Sequence, residues 1–285
     1  MEPAARPIRG LCITAKRGIP KLERLISEIS SFAEQHGVPV VLDEDLDPSI
    51  EAELPRASLE QLGPDFDLIL VLGGDGTILR TLRRLPNPQD RLLLGVNFGR
   101  VGFLTEVPPD ALIEALHALI KGEFFVERLP LLVIRGPGFK AHALNEVAAL
   151  PTRPGDLLRI EVMIDGEEAL HATADGVLVA SSVGATAYAA SAGGPIVDPR
   201  ANVLLVTFIC PLAWSLRPLV LPGGARVGVR LRSACAAILV DGHEACRAQG
   251  ELEIEVSYSG VYARFVRLSR DSFYRRLKRR LTLWV

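Results

Sequence analysis

One strand-turn-helix stretch, residues 68–79, constrains the fold of this chain more than any other. It reads Leu-Ile-Leu-Val-Leu-Gly-Gly-Asp-Gly-Thr-Ile-Leu. The apolar run 68–72 predicts a strand buried on both faces, as in a parallel sheet. The three glycines around Asp75 allow the backbone to take positive φ angles and allow another group to approach it closely. An apolar helical pattern follows, and the free N–H groups at a helix N-terminus suit a phosphate.

Asp75 is the unusual member of this turn, because a carboxylate beside a phosphate is repelled by it. We therefore predict that Asp75 acts on a hydroxyl group or binds a metal ion. The alternative interpretation is a tight turn in which Asp or Thr only caps the helix.

Length and charge narrow the class of protein. A chain of 285 residues predicts about two domains, and an apolar fraction of 48% is enough for a core in each. The net charge of −2 gives no reason to expect nucleic acid or an anionic membrane as a partner. The cysteines form no CxxC pair, the histidines lack metal-binding spacing, and no signal peptide or membrane-spanning run is present. We expect a cytoplasmic protein without protein metal ligands.

Strands and helices alternate four times in the first part of the chain. Strands are predicted at 8–15, 38–42, 68–72 and 91–96, with helices at 19–36, after residue 75 and at 108–122. This alternation predicts a doubly wound parallel sheet in an α/β domain. The acidic segment 43–67 between two of the strands is interpreted as a surface connection with at most a short helix.

The pattern changes after about residue 123 to short apolar or alternating runs separated by Gly, Pro, Asn and Asp. Such runs predict a β-sandwich domain, with one helix expected near 186–192. The runs are 124–135, 139–150, 157–165, 176–182, 202–209, 226–232, 235–241, 251–257 and 261–268. Residues 271–284 predict an amphipathic helix whose basic residues form a solvated face.

Two familiar nucleotide motifs are missing, the P-loop and the G-x-G-x-x-G turn, so a nucleotide site must be built from other residues. Residues 97–104 follow a predicted strand at the carboxyl edge, where doubly wound sheets bind ligands. There Gly99 and Gly102 allow close approach, and Phe98 could cover a ring. The alternative is an ordinary loop with core Phe and Leu.

Polar residues also mark two places in the second domain. The Asn145 amide offers a hydrogen-bond donor and an acceptor side by side, and the Glu146 carboxylate can accept hydrogen bonds from sugar hydroxyls. The alternative interpretation is the end of a strand, with both side chains pointing outward to solvent. In the stretch 174–199, Thr186, Tyr188 and Ser191 are predicted at one helix N-terminus with small residues between them. A flat ring could lie there against the backbone, stacked on the tyrosine. The alternative is a small-residue helix packed on the sandwich.

Taken together, these stretches resemble the NAD kinase family, whose members use ATP or polyphosphate. The matches run in order through the chain, at 73–77, 97–104, 144–147, 175–176, 184–195, 211–222, 241–242 and 273–274. The Gly-Gly-Asp-Gly-Thr motif alone is shared with diacylglycerol, sphingosine and some sugar-phosphate kinases. The Asn-Glu pair and the Thr-Ala-Tyr stretch make the resemblance specific.

The resemblance implies transfer of a phosphoryl group from ATP or polyphosphate to the 2′-hydroxyl of NAD, giving NADP, with Mg²⁺ accompanying ATP. It implies an α/β domain of residues 1–123 that includes the returning helix 269–285, a β-sandwich domain of residues 124–268 that binds NAD, and an active site between them. The alternatives are a lipid kinase with the same glycine motif and an NAD(P)-sensing module without turnover.

The resemblance also implies roles for individual residues. Asp75 acts on the 2′-hydroxyl, and Asp175 reaches a ligand bound by a neighbouring subunit, which implies a homodimer or homotetramer. The residues implied to bind nucleotide or phosphate are Gly73, Gly74, Gly76, Thr77, Phe98 and Gly99. The residues implied to bind NAD are Asn145, Glu146, Asp175, Thr186, Ala187, Tyr188 and Ser191.

The chain departs from the family pattern at two places. The family usually reads Thr-Pro-Thr-Gly-Ser-Thr-Ala-Tyr where residues 181–188 are Ser-Ser-Val-Gly-Ala-Thr-Ala-Tyr. The family's Pro-His-Ser is Pro-Leu-Ala at 211–213, so no role of a histidine carries over. Neither departure replaces a residue of the predicted site.

Overall fold

The computed structural model describes residues 1–4, 6–50, 52–99, 102–270 and 273–282. The chain divides into two units, Met1–Arg128 with Ala263–Val285 and Leu129–Tyr262. The helices are α1 Leu22–Gln35, α2 Asp75–Arg84, α3 Leu112–Lys121, α4 Tyr188–Ser191 and α5 Phe273–Thr282. The strands are β1 Glu2–Pro3, β2 Leu11–Ala15, β3 Val40–Asp43, β4 Arg56–Ala57, β5 Leu68–Leu72, β6 Leu92–Val96, β7 Phe125–Gly136, β8 Phe139–Ala143, β9 Glu146–Pro151, β10 Leu158–Ile164, β11 Glu167–Ala174, β12 Gly176–Ser181, β13 Val203–Ile209, β14 Leu219–Pro222, β15 Val227–Val240 and β16 His243–Arg267.

A parallel sheet forms the centre of the first unit. Its strand order is β6-β5-β2-β3-β4, and the end of β16 pairs in parallel with β6. Every residue of β2, β5 and β6 is buried, because these runs are apolar except for Thr14 and both faces of the strands are covered. Leu72 pairs with Val96, so the turn after β5 and the loop after β6 leave the same edge of the sheet.

The second unit is built mostly from antiparallel strands, in the order β14-β13-β12-β9-β15-β16. The first half of β15 also pairs with β10, and its second half pairs with β9, so one strand serves two parts of the sheet. The sequence predicted two strands where β15 runs unbroken, and two where β16 runs unbroken. A two-residue turn joins them, with positive φ at both Asp241 and Gly242, as a type I′ hairpin turn requires.

The acidic segment between β3 and β5 surrounds a single arginine. The Arg84 guanidinium, at the end of α2, lies 2.8 Å from Asp43, 2.9 Å from Asp45 and 3.1 Å from Glu60. The Asp43 carboxylate is fully buried and also accepts a hydrogen bond from the Thr14 hydroxyl at 2.7 Å. Hydrogen bonds from Ser58 and Arg84 lower the pKa of Glu60 to about 2. The segment therefore fixes the C-terminal end of the helix that begins at Asp75.

Replacing Arg84 with leucine is expected to lower the free energy of unfolding by about 3 kcal/mol, because it leaves the buried Asp43 carboxylate without its ion pair. Urea unfolding followed by circular dichroism measures this change. The control is Arg24→Leu, which removes an exposed pair with Glu28 on α1 and is expected to cost less than about 0.5 kcal/mol. Equal losses in the two variants would contradict the burial argument.

Candidate active site

The turn after β5 places Asp75 at the first position of α2, with Gly74 as the N-terminal cap residue. A Cβ atom on Gly73 would lie 2.3 Å from the Thr77 hydroxyl oxygen, so this glycine lets Thr77 pack against the backbone. No atom of the described residues lies within 4 Å of the Cβ positions of Gly74 and Gly76, so their backbone remains approachable from that part of the chain. None of the three glycines has a positive φ angle, so the turn uses the space that glycine leaves and not its left-handed conformation.

Three consecutive backbone N–H groups hold the Asp75 carboxylate. Phe103 donates to Oδ2 at 2.9 Å, and Leu104 and Thr105 donate to Oδ1 at 3.1 and 3.4 Å. A Cβ atom on Gly102 would lie 2.0 Å from Oδ1, so only glycine allows the loop this close to the carboxylate. The Arg280 guanidinium of α5 lies 3.9 Å from Oδ2. The loop after β6 thus orients Asp75.

The remaining predicted residues of this loop have different surroundings. Phe98 is half-buried and packs against the hydrophobic core of the first unit. Gly99 is exposed, and its N–H donates to the Asn97 side chain at 3.2 Å. Arg100 and Val101, which belong to the predicted stretch, lie outside the described residues.

In the second unit, one aspartate organises the Asn145–Glu146 pair. The Asp241 carboxylate accepts from the backbone N–H groups of Leu144, Asn145 and Glu146 at 2.8, 2.8 and 3.2 Å. The Asp241 N–H in turn donates to the Glu146 carbonyl at 2.9 Å. From the sequence, Asp241 is identified only as part of the matched stretch 241–242. Its role could not be predicted, because its hydrogen-bond donors lie about a hundred residues earlier and strand pairing brings them close.

Glu146 is a buried acid. Its side chain is 6% exposed, and its Oε2 atom makes no hydrogen bond to any of the residues that the structure describes. Burial, assisted by the negative charge of Asp241, raises the pKa of Glu146 to about 8, although a hydrogen bond from the Tyr188 N–H opposes the shift. At neutral pH this acid is therefore mostly protonated and can both donate and accept hydrogen bonds.

The chain after β12 lies directly against this pair. A Cβ atom on Gly184 would lie 2.1 Å from the Asn145 carbonyl oxygen, and the Ser181 N–H donates to the same oxygen at 2.8 Å. The Ser181 hydroxyl donates to the Leu144 carbonyl at 2.6 Å. The structure therefore brings Asn145 and Glu146 together with the start of the 184–191 stretch.

The predicted helix of this stretch is shorter than expected. A 3₁₀ turn covers Gly184–Thr186, and α4 has only four residues, because Ala187 between them leaves the helical region at φ −101°, ψ −129°. Ser191 is the last residue of α4, so its predicted place at a helix N-terminus is wrong. The Thr186 hydroxyl donates to the Val183 carbonyl at 3.3 Å, and Tyr188 is 39% exposed.

Asp175 lies apart from the other predicted residues of its unit. It is exposed and immediately precedes β12, whereas Glu146 pairs with Ala180 near the end of that strand. Asp175 and Ala180 are five residues apart, and a strand rises about 3.3 Å per residue. Asp175 therefore lies roughly 16 Å along the strand direction from the position of Glu146.

Two kinds of feature are absent from the part of the chain that the structure describes. No group of three or more His, Cys, Asp or Glu residues is arranged to hold a metal ion. No described helix is long and apolar enough to cross a membrane.

Replacing Glu146 with glutamine is expected to stabilise the protein near pH 8 by on the order of 3 kcal/mol, and to change little near pH 4.5. The folded state keeps the proton up to about pH 8, whereas the unfolded chain releases it near the ordinary value of 4.5. The wild type therefore loses stability as the pH rises between these values, and the neutral glutamine does not. Thermal unfolding between pH 4.5 and 8 measures the difference.

The matched control for this experiment is Glu167→Gln, at an exposed position on β11. Its stability difference from the wild type is expected to stay constant over the same pH range. A difference for Glu146→Gln that does not grow with pH would show that the buried acid is not protonated.

Comparisons with known proteins cover nearly the whole chain. Residues 12–124 match the family model of the ATP-NAD kinase N-terminal domain, and residues 144–268 match the ATP-NAD kinase C-terminal domain. The NAD kinase of Methanothermobacter thermautotrophicus is 38% identical over 276 residues, which are 94% of this chain and 95% of the relative. The NAD kinase of Methanopyrus kandleri is 35% identical, over 95% of this chain and 97% of the relative.

Solved structures of an NADH kinase and an NAD kinase are also similar to this chain. Yeast NADH kinase complexed with NADH has a TM-score of 0.87 and 26% identity, and the match covers 98% of this chain and 89% of the yeast chain. An NAD kinase from Archaeoglobus fulgidus in complex with ATP has a TM-score of 0.78 and 26% identity, over 94% of this chain and 99% of that chain.

Proposed function

The chain belongs to the NAD kinase family and is therefore an enzyme that phosphorylates NAD to NADP, and we propose that Asp75 orients the 2′-hydroxyl that accepts the phosphoryl group from ATP. The family and the fold class predicted from the sequence are confirmed. The ATP complex of the Archaeoglobus fulgidus enzyme supports ATP as the donor. The NADH complex of the yeast enzyme supports a nicotinamide dinucleotide as the acceptor.

The observation that carries the role of Asp75 is its set of three backbone hydrogen bonds. A carboxylate offers about four acceptor sites on its two oxygens, and the loop uses three of them. Oδ2, which accepts only from Phe103 in this set, keeps a site for a substrate hydroxyl. Phosphoryl transfer depends mainly on the alignment of the reacting groups and on charge neutralisation. A carboxylate held in one orientation can align the attacking hydroxyl.

Asp75 is proposed to accept the hydroxyl proton late in the transfer. Such proton transfer typically raises the rate by about 10² to 10⁴-fold.

Mg²⁺ is proposed to arrive as part of the MgATP substrate. The described residues contain no acidic cluster for a resident ion, and both Asp75 oxygens already accept backbone N–H groups. A magnesium ion bound mainly by substrate phosphates and water needs no such cluster.

The glycine turn is proposed to meet the donor phosphates. Open space beside Gly74 and Gly76 supports a close approach of phosphate oxygens to their backbone, while Gly73 and Thr77 shape the turn. Phe98 and Gly99 are proposed to contact the nucleotide from the loop after β6.

The second unit is proposed to bind NAD. Asn145 and the protonated Glu146 are proposed to hold ribose hydroxyls, since a neutral acid can donate to one hydroxyl and accept from another. The adenosine part is proposed to contact Thr186, Ala187, Tyr188 and Ser191. Asp175 is proposed to reach NAD bound by a second copy of the chain in a homo-oligomer, since it is exposed and lies far along β12 from Glu146.

Acceptor choice tests this proposal against its two rivals. Purified protein with MgATP would receive NAD, NADH, a diacylglycerol or a sphingoid base in separate reactions, and ADP release would be followed. We expect ADP release with the dinucleotides and none with the lipids. Release with a lipid alone would support a lipid kinase. Calorimetric binding of NAD without ADP release would support a sensing module.

A further inference from the structure

One buried arginine contacts the loop that holds Asp75. Arg267 is the last residue of β16 and is 1% exposed. Phe265 pairs with Leu93 where β16 runs parallel to β6, so Arg267 lies level with Gly95 near the end of β6. The loop begins just after that end. Strand pairing therefore brings a side chain from late in the chain to this loop.

The Arg267 guanidinium contacts the loop at two points. Its Nη1 atom donates to the Leu104 carbonyl at 3.1 Å and to Oε2 of Glu106 at 3.2 Å. The other carboxylate oxygen of Glu106 accepts from the Leu268 N–H at 3.0 Å. The Nε atom of Arg267 donates to Glu127 at 2.7 Å. One buried cation is thus paired with two carboxylates and also holds a carbonyl group of the loop.

The carbonyl that Arg267 holds belongs to the same peptide group as the Thr105 N–H. That N–H donates to Oδ1 of Asp75 at 3.4 Å, beside the Leu104 N–H at 3.1 Å. Because a peptide group is planar, a bond that fixes its carbonyl also fixes the direction of its N–H. The positive charge on the carbonyl side polarises the amide and strengthens its donor. Arg267 is therefore coupled to Asp75 through one shared peptide group.

The C-terminal helix α5 packs on the same loop and joins the same ion-pair network. The ring of Phe273 lies 5.9 Å from that of Phe103, and the Arg280 guanidinium lies 5.1 Å from the centre of the Phe103 ring. Arg276 is buried and lies 3.7 Å from Glu127, the second acid that pairs with the buried arginine. The prediction that the basic residues of this helix form a solvated face is therefore only partly right, since Arg276 and Arg280 turn inward.

Stability alone gives a weak reason for this arrangement. Burying a guanidinium and two carboxylates removes their hydration, and that cost offsets much of their mutual attraction. Well-packed apolar side chains of similar volume often stabilise a protein as much as a buried ion pair does. The guanidinium differs from an apolar side chain in one respect that matters here, because it fixes the direction of a loop carbonyl.

We propose that Arg267 is a positioning residue for phosphoryl transfer. It holds the peptide group between Leu104 and Thr105 so that the loop keeps the Asp75 carboxylate in the orientation that meets the acceptor hydroxyl. The proposal rests on the proposed function, because it acts through the role assigned to Asp75. Lysine at position 267 would keep the charge, but its single nitrogen cannot reproduce the planar fork that reaches both the loop and Glu127.

The test compares Arg267→Lys with the control Glu127→Gln. Both variants alter the buried network, and the control leaves the guanidinium contact with the Leu104 carbonyl in place. Hydrogen exchange of the amides of residues 103–105 is measured by NMR without substrates. NADP formation gives kcat and the KM values for NAD and ATP. Circular dichroism and thermal unfolding show that each variant is folded and compare their stabilities.

Loss of the charge-assisted hydrogen bond in Arg267→Lys is expected to speed amide exchange in the loop at least about tenfold and to lower kcat about tenfold. Both KM values are expected to stay within about twofold of the wild type. Glu127→Gln is expected to change loop exchange and kcat by less than about twofold. In the Asp75→Asn background, Arg267→Lys is expected to change kcat by less than about twofold, because its effect passes through the carboxylate.

A second variant, Glu106→Gln, decides the question if Arg267→Lys does not fold. It removes the loop carboxylate that pairs with the arginine, and faster loop exchange than in Glu127→Gln is expected. Exchange and kcat that change equally in the arginine or Glu106 variant and in Glu127→Gln overturn the proposal. Additive losses in the Asp75→Asn background also overturn it. If the wild type forms no NADP, the proposed function fails, while the exchange rates still decide whether Arg267 fixes the loop.

Discussion

Replacing Asp75 with asparagine is expected to lower kcat at least about 10²-fold and to change the KM for NAD by less than about threefold. Asparagine keeps the size of the side chain but has one acceptor oxygen in place of two. Its amide group would face at least one of the loop N–H groups that now donate to the carboxylate. It also cannot accept a proton from the substrate hydroxyl.

Steady-state rates of NADP formation, at saturating ATP and varied NAD, measure this effect. The matched control is Asp110→Asn, an exposed aspartate of the same unit, for which turnover is expected to stay close to that of the wild type. Turnover of Asp75→Asn within about threefold of the wild type would exclude Asp75 as the orienting carboxylate.

Replacing Gly102 with alanine is expected to lower kcat about 10²-fold through Asp75, without any new group touching the substrate. The added Cβ would lie 2.0 Å from Oδ1 and 2.5 Å from Cγ of Asp75, so the loop and the carboxylate must move apart. Overpacking of this kind also costs about 1–3 kcal/mol of stability, which thermal unfolding measures. Gly63→Ala is the control, because none of the residues that the structure describes has an atom within 4 Å of its Cβ position.

A double-mutant cycle separates this mechanism from general damage. If Gly102→Ala acts by displacing the Asp75 carboxylate, it should have little further effect on kcat in the Asp75→Asn background. Additive losses in the double variant would mean that the alanine disturbs something other than Asp75. Calorimetric NAD binding by Gly102→Ala, close to that of the wild type, would show that the variant remains folded.

The elements of the first unit were largely predictable, because their signals are local. The run 68–72 is fully buried in β5, and α1 and α3 begin and end within a few residues of their apolar patterns and stop signals. Gly122 has the left-handed conformation expected of a helix stop. The turn that carries Asp75 was predicted for the same reason, although its glycines provide space and not positive φ angles.

Several strands of the second unit were not predicted correctly, because their burial depends on pairing partners. The strand β11 was missed because it carries Glu167, Glu168 and His171 and buries only its last residue, which removes the apolar signal. The strands β15 and β16 were each predicted as two, since polar residues interrupt their apolar pattern. In the structure β15 continues past a register shift between Leu231 and Ala234, and β16 continues beyond the end of its pairing with β15.

The contacts that orient the candidate site could not be read from the sequence. The three N–H groups that hold Asp75 come from residues about thirty positions later, and their approach depends on β5 and β6 being neighbours. Asp241 reaches residues 144–146 because β15 pairs with β9. Arg84 forms ion pairs with three acids of the segment 43–67, which the sequence pattern predicts to be a surface connection. Each contact joins distant parts of the chain through sheet register, which local patterns do not encode.

The most direct test of the account follows the γ-phosphate of ATP. Purified protein would receive NAD and ATP labelled at the γ-phosphate, and the product would be offered to an NADP-specific dehydrogenase. The account predicts one labelled NADP per ADP released, accepted by that dehydrogenase, with the signal nearly lost in Asp75→Asn. Label found in free phosphate, or in a product that the dehydrogenase rejects, would contradict transfer to the 2′-hydroxyl of NAD.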